Sequence, residues 1–210
     1  MNKSKEKLWF SILAEYLSLY QSVFSTARSE MKKHKQAVVH KIKEQQTNFE
    51  LSFAKKKKEK PVCDYLEQAI KTENNDETAI LLNLIDQVRD SLTWEYGYNK
   101  LPEELQEKYA YSELLGPTGP ILGQNLILGL VLLAPDCVYP EHSHDQIAES
   151  YLVLSGRVTL NDSQEFCAAD SIYNLPGKKH KLVTTDQPCL LAYAWSADKE
   201  ILTNNAMEFA

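Results

Sequence analysis

Glycine and proline are both missing from the first sixty residues, and Pro61 is the first of either kind. Nothing in that stretch compels a turn, so helices have room to run. Cysteine is sparse. Cys63, Cys137, Cys167 and Cys189 are widely spaced, with no CxxC pair. That spacing speaks against a disulfide scaffold and a thiolate zinc site, and suits reduced thiols in a cytoplasmic protein. No apolar run reaches the roughly 18 residues of a membrane span. Lys3, Lys5 and Lys7 precede the apolar run Leu8–Ala14, as in a leader, but Glu15 interrupts it and no convincing small-residue cleavage site follows. The expectation is a soluble cytoplasmic chain with no membrane partner. It contains no internal repeat.

What is present is ordinary globular material. The 210 residues are 43% hydrophobic and 25% charged, which excludes wholesale disorder and a fibrous repeat. The length allows about one to one and a half domains. Lysine and arginine number 23 against 29 acids, a formal charge of -6. The charge is uneven: residues 28–60 hold 11 basic and 4 acidic residues, leaving 12 and 25 elsewhere. No recognition motif or interleaved aromatic platform accompanies the basic segment, so nucleic acid is not an expected partner. Its lysines read as a solvated helix face, and His34 and His40 as solvated polar residues within it.

Residues 1–100 carry helical periodicity. Leu8, Ile12, Tyr16, Leu19 and Val23 recur at steps of three and four, and helical character is expected to about residue 50. The lysine run 55–58 and Pro61 mark a break. Two further helices are expected, from Cys63 to about Lys71 and from Thr78 to about Leu92, the latter with Ile80, Leu81, Leu84, Val88 and Leu92 as its apolar face. Beyond Pro102 the texture changes. Short apolar runs at 126–133, 150–154, 157–160, 171–174, 181–184 and 190–195 lie between turn residues, as strands of a barrel or sandwich do. The fold class expected is α+β: a helical region over 1–100, then an antiparallel β-barrel over 101–210.

The stretch from Pro140 to Gly156 carries the chemistry. His142 and His144, two apart on an extended chain, point to the same side. Glu149 can join them from the next strand, and Tyr151 shares its strand face. Imidazole with carboxylate suits Fe, Zn, Mn, Co or Ni and leaves coordination positions open for substrate. Downstream, Pro176-Gly177-Lys178-Lys179-His180 sets a third histidine just after a tight turn.

HxHxxxxE, six residues, Gly, and then a distant GxxH together resemble the two motifs of the cupin superfamily. The first motif matches fully. The second departs from the usual PxGxxH because Pro176 directly precedes Gly177, while the GxxH spacing survives. The resemblance implies a jelly-roll barrel in which His142, His144, Glu149 and His180 hold one divalent ion (Fe, Zn or Mn), with Gly156 in the turn that closes the first motif. The wider context is similar to cupin-type dimethylsulfoniopropionate (DMSP) lyases. It comprises Trp94-x-Tyr96-x-Tyr98, Tyr111-x-Glu113-Leu114-x-Gly116-Pro117, Tyr139-Pro140-x-His142 and Glu149-x-Tyr151, over roughly residues 60–196.

That likeness implies β-elimination of a zwitterionic sulfonium carboxylate to dimethyl sulfide and acrylate. A metal on the carboxylate stabilises the developing charge, and a base takes the proton alpha to it. The resemblance assigns the base to Tyr151, with Tyr139 and Tyr193 as the other two tyrosines able to act as base or orient substrate. A sulfonium has no hydrogen-bond donors and suits aromatic faces, so Trp94, Tyr96, Tyr98 and Trp195 are candidate pocket walls. A homodimer would be compatible with these features. The same four ligands would also serve a cupin sugar isomerase, a dioxygenase or a non-catalytic sensor. An anaerobic release of volatile sulfide separates the lyase from all three.

Overall fold

The computed structural model describes residues 3–22, 29–52, 58–72, 74–98 and 100–204. Val23, most of the lysine run 55–58 and Glu73 lie outside them. Helix α1 (Lys3–Ser22) buries Trp9, Ile12, Leu13, Tyr16, Leu19 and Tyr20, the face set by the three–four spacing. Helix α2 (Ser29–Thr47) packs beside it. A 3-10 turn at Pro61–Tyr65 leads into α3 (Leu66–Lys71), with Pro61 at a first-turn position where its missing N–H costs nothing. In α4 (Asp76–Val88), Asn75 caps the N-terminus by accepting from Glu77 N–H at 2.8 Å.

Eleven strands follow: β1 (Trp94–Glu95), β2 (Tyr109–Gly116), β3 (Ile121–Leu122), β4 (Leu126–Leu133), β5 (Val138–His142), β6 (Ala148–Ser155), β7 (Arg157–Leu160), β8 (Gln164–Cys167), β9 (Ser171–Asn174), β10 (His180–Thr184) and β11 (Cys189–Ser196). A 3-10 turn at Arg89–Ser91 and the short helices α5 (Glu103–Gln106) and α6 (Lys199–Asn204) complete the chain's described elements. The larger sheet runs β1-β2-β4-β11-β6-β9, with β3 beside β2; the smaller runs β5-β10-β7-β8. Every pairing is antiparallel except β2–β3. Gly156 takes φ +74° between β6 and β7, where a Cβ would meet Pro188 O at 2.3 Å, so glycine is required at that corner.

The inner faces of the two sheets share one core, including Val131, Val153 and Leu191 from the larger sheet and Val158 and Leu182 from the smaller. The outer face of the larger sheet is covered by the helices, in a second core that joins Trp9, Ile12, Val38, Ile42, Leu81 and Ile85 to Leu130, Leu152 and Ala192. Strand β4 is therefore buried at all eight positions, which is why it reads as an unbroken apolar run instead of an alternating one. Each fully buried aliphatic side chain contributes roughly 1.5–3 kcal/mol. Buried hydrogen bonds pin the helices to the sheet: Tyr16 Oη donates to Gly129 O at 2.7 Å, and Thr78 Oγ1 to Leu154 O at 2.8 Å.

Two differences from the sequence reading are instructive. His34 is not solvated. It lies 4% exposed on the sheet side of α2, in line with Val38 and Ile42 at steps of four. Its Nδ1 is 2.9 Å from Ser196 Oγ and its Nε2 2.8 Å from Ser150 Oγ, and burial lowers its pKa to about 4. His40 does face solvent, beside Glu44. Strands β2, β5 and β8 carry no clean apolar run. β5 contains Pro140 and β8 is mostly exposed, and both are edge strands of the smaller sheet, where proline and polar residues are tolerated.

Candidate metal centre

His142 closes β5 and His180 opens β10, and the two are direct cross-strand partners. Their rings lie 4.1 Å apart. His144, just past β5, completes the group. One nitrogen from each of the three imidazoles falls within 4.8 Å of the others, and all three side chains are buried. The shifted second motif still delivers its histidine. Gly177 adopts φ +71°, and its N–H donates to His144 O at 2.9 Å, so the turn before His180 is tied directly to the first motif.

Glu149 projects from β6 into the same space and is 1% exposed. Its Oε1 is 3.5 Å from His144 Nε2 and its Oε2 3.0 Å from His180 Nε2. Donors from both neighbouring strands hold the carboxylate. Asn174 Nδ2 on β9 donates to Oε2 at 2.8 Å, and Trp195 Nε1 on β11 to Oε1 at 2.6 Å. Asn174 and Trp195 are the register partners of Glu149 on its two sides.

The imidazoles are oriented for a cation. His142 Nδ1 is 2.8 Å from Pro140 O and His180 Nδ1 3.1 Å from Lys178 O. A carbonyl can only accept, so each Nδ1 carries the proton and each Nε2 presents its lone pair. His142 Nε2, His180 Nε2 and both nitrogens of His144 are buried without a hydrogen bond, His180 Nε2 included despite its nearness to Glu149. Buried nitrogens without a partner are costly unless something binds them, and one ion can take one nitrogen from each of the three rings. A divalent ion fits this donor set.

The electrostatics of two of the three imidazoles agree. Burial lowers the pKa of His142 to about 3, with the neighbouring His180 adding to the effect, and burial also lowers that of His144. Both are therefore neutral, as metal ligands must be. His180 moves the other way: burial would lower it, but contact with Glu149 prevails and raises it. Burial pushes Glu149 up, yet the facing imidazoles, His144 foremost, outweigh it and hold the carboxyl well below its usual range.

Beside the group lies a cavity of about 190 Å³, room for about six waters and hence for a small molecule. Glu149, Tyr151, Tyr139, Tyr193 and Trp195 line it, together with Tyr109, Tyr111 and Glu113. Tyr139 stacks on Tyr109 at 4.6 Å and packs against His142 at 4.4 Å. Tyr98 sits behind it, hydroxyl to hydroxyl at 2.6 Å. Burial holds the phenols of Tyr139, Tyr151 and Tyr193 protonated, and the charge of Glu149 adds to this at Tyr151.

Trp94 and Tyr96 are not brought to the cavity. Trp94 pairs with Ser112 on the helix-facing side of the sheet and is 1% exposed in the outer core. Tyr96 donates to Gln106 O at 2.7 Å, and Lys60 Nζ lies over its ring. Asn174 escaped the sequence reading. A polar residue two after Ile172 on a buried strand face was the available signal.

The sequence pattern of the dimethylsulfoniopropionate lyase family matches residues 32–191. The chain belongs to the DMSP lyase family. It is 43% identical over 152 residues to the putative dimethylsulfoniopropionate lyase DddL of Cereibacter sphaeroides, covering 72% of this chain and 66% of that relative's length. A solved structure described as the DMSP lyases RdDddP and RnDddQII superposes with a TM-score of 0.71, covering 98% of this chain and 99% of the other. The DMSP lyase DddQ of Ruegeria pomeroyi gives 0.69 over 92% and 96%. Both structures are 16% identical to this chain, a likeness that speaks for the fold alone. The family match reaches back to residue 32 and so takes in α2, which the motifs left unexplained. Among the described residues no helix is long and apolar enough to cross a membrane.

Proposed function

We propose that this member of the DMSP lyase family cleaves dimethylsulfoniopropionate to dimethyl sulfide and acrylate. The observation that carries the reading is a buried cluster of three imidazoles facing Glu149, whose carboxylate lines a tyrosine-rich cavity. His142, His144, Glu149 and His180 are the proposed ligands of one divalent ion. Iron, zinc and manganese all suit an imidazole–carboxylate set, so supply decides among them. When bound, the ion polarises the substrate carboxylate and adds the positive charge that favours a phenolate nearby.

Tyr151 is the proposed base. Its position two residues after Glu149 points it into the cavity. It takes the proton alpha to the substrate carboxylate. The Cα–Cβ double bond forms as the Cβ–S bond breaks, and the electron pair of that bond leaves on sulfur as dimethyl sulfide. Tyr139 and Tyr193 orient the substrate, while Tyr98 holds Tyr139 and Trp195 holds Glu149. We read the helical part, about 1–100, as the cover of a catalytic barrel over 101–210, and place the enzyme in the cytoplasm, where its thiols stay reduced.

The test is headspace gas chromatography of the metal-loaded protein with DMSP, run without oxygen. Dimethyl sulfide with stoichiometric acrylate is expected. No sulfide with iron(II), zinc or manganese would remove the proposal, and sulfide only in the presence of O₂ would replace it with an oxygenase.

A further inference from the structure

Among the described residues, Glu149 and Glu113 are the charged ones lining the cavity, and the ligand set uses only the first. They stand on β6 and β2, with β11 and β4 between them. Three strand spacings and a two-residue offset along the strand separate their backbones by about 16 Å, and both side chains reach inward. Glu113, Gly129, Tyr193 and Tyr151 form one row across the sheet by direct register. The gap in that row is deliberate in effect: a Cβ on Gly129 would lie 2.5 Å from Tyr193 Cε1 and 2.7 Å from its Cζ. Glycine lets the Tyr193 ring lie across β4 toward Glu113.

The Glu113 carboxylate is held in place. Thr118 N–H donates to Oε1 at 2.7 Å and Thr118 Oγ1 to Oε2 at 2.8 Å, and Pro117 and Thr118 themselves line the cavity. Two phenols feel its charge. After burial, Glu113 is the leading cause that raises the pKa of Tyr193 and of Tyr111, the latter to about 12. The far end of the cavity is thus a fixed anion flanked by two neutral aromatic rings, which is how a cation without hydrogen-bond donors is bound.

We propose that Glu113 is the specificity-determining residue for the cationic end of the substrate, holding an onium group against the rings of Tyr111 and Tyr193. The inference rests on the proposed function to the extent that the ligand's carboxylate lies at the Glu149 end. With a divalent ion held at Glu149, a bipolar ligand would meet opposite charges at the two ends of one cavity. A neutral thioether or alkyl carboxylate of the same shape forfeits the Glu113 end.

The test compares two ligands that differ only in charge, 3-(trimethylammonio)propionate and 4,4-dimethylpentanoate. Binding to the metal-loaded protein is measured by titration calorimetry. Glu113→Gln is expected to lower the preference for the cation about tenfold, the scale of one partly screened ion pair, while Glu113→Asp keeps most of it. Metal content and melting temperature confirm that each variant is folded and loaded. An unchanged preference in folded Glu113→Gln overturns the proposal. Should that variant fail to fold, Thr118→Val, which loosens the carboxylate, is expected to lower the preference about threefold, and no change there overturns it equally. Sulfide release by the unaltered protein is scored separately. A cation preference that depends on Glu113 in a protein releasing no sulfide removes the lyase reading and leaves the Glu113 site standing.

Discussion

Asn174→Leu isolates the support of the candidate metal centre from its proposed ligands. The substitution keeps approximate side-chain volume on β9 and deletes the donor that reaches Glu149 Oε2 at 2.8 Å. The acceptor is a fully buried carboxylate, so the lost bond is charge-assisted and is worth about 1.5–3 kcal/mol. No solvent replaces it, since Asn174 is 5% and Glu149 1% exposed. The metal-free protein should therefore lose about 2 kcal/mol of stability, a drop of about 4–8 °C in melting temperature for a chain of this size. Part of the loss is common to the metal-free and metal-bound forms and cancels in binding. What does not cancel is the orientation of the carboxylate, and deleting a group that holds a ligand in this way weakens metal affinity about tenfold to a hundredfold. Competition with a fluorescent chelator reads the affinity, and calorimetry reads the melting. Unchanged affinity and unchanged melting together would refute the claim that flanking donors hold Glu149 as a ligand.

Tyr151→Phe should retain its metal and lose about a hundredfold or more in sulfide release; a near-normal rate would move the base to Tyr139 or Tyr193. His180→Ala should lower metal occupancy severalfold by elemental analysis, and full occupancy would show that the shifted second motif supplies no ligand. His34 gives a pH signature. Its folded pKa of about 4 lies below the unfolded value, so between about pH 6.5 and pH 4 the unfolded chain binds more protons and stability falls as acid is added. The full loss is about 3 kcal/mol. His34→Gln, which does not titrate, should flatten the melting-temperature profile over that window, and parallel profiles for the two proteins would contradict the burial argument.

The larger elements were legible because their burial is one-sided or total. The α1 stripe and the apolar run of β4 record a single packing environment along their length, and the run 126–133 coincides with the strand observed. The proposed ligands were legible for a different reason: His142, His144 and Glu149 are close in sequence and repeat the period of an extended chain. Strands β5 and β8 escaped notice, since they carry the proline and polar residues that edges permit.

The sequence by itself singled out the proposed ligands and determined that helices precede a barrel. The tertiary structure alone decided which polar residues serve that chemistry. His34 looked solvated and is buried against Ser150 and Ser196; Trp94 looked like a pocket wall and belongs to the outer core. Asn174 and Glu113 looked like neither ligand nor wall, yet one steadies Glu149 and the other faces the cavity. Local periodicity states which side of its own strand a residue occupies. Which strands become neighbours is settled by antiparallel pairings between distant segments, and only that pairing brings Glu113, Tyr193 and Tyr151 into one row.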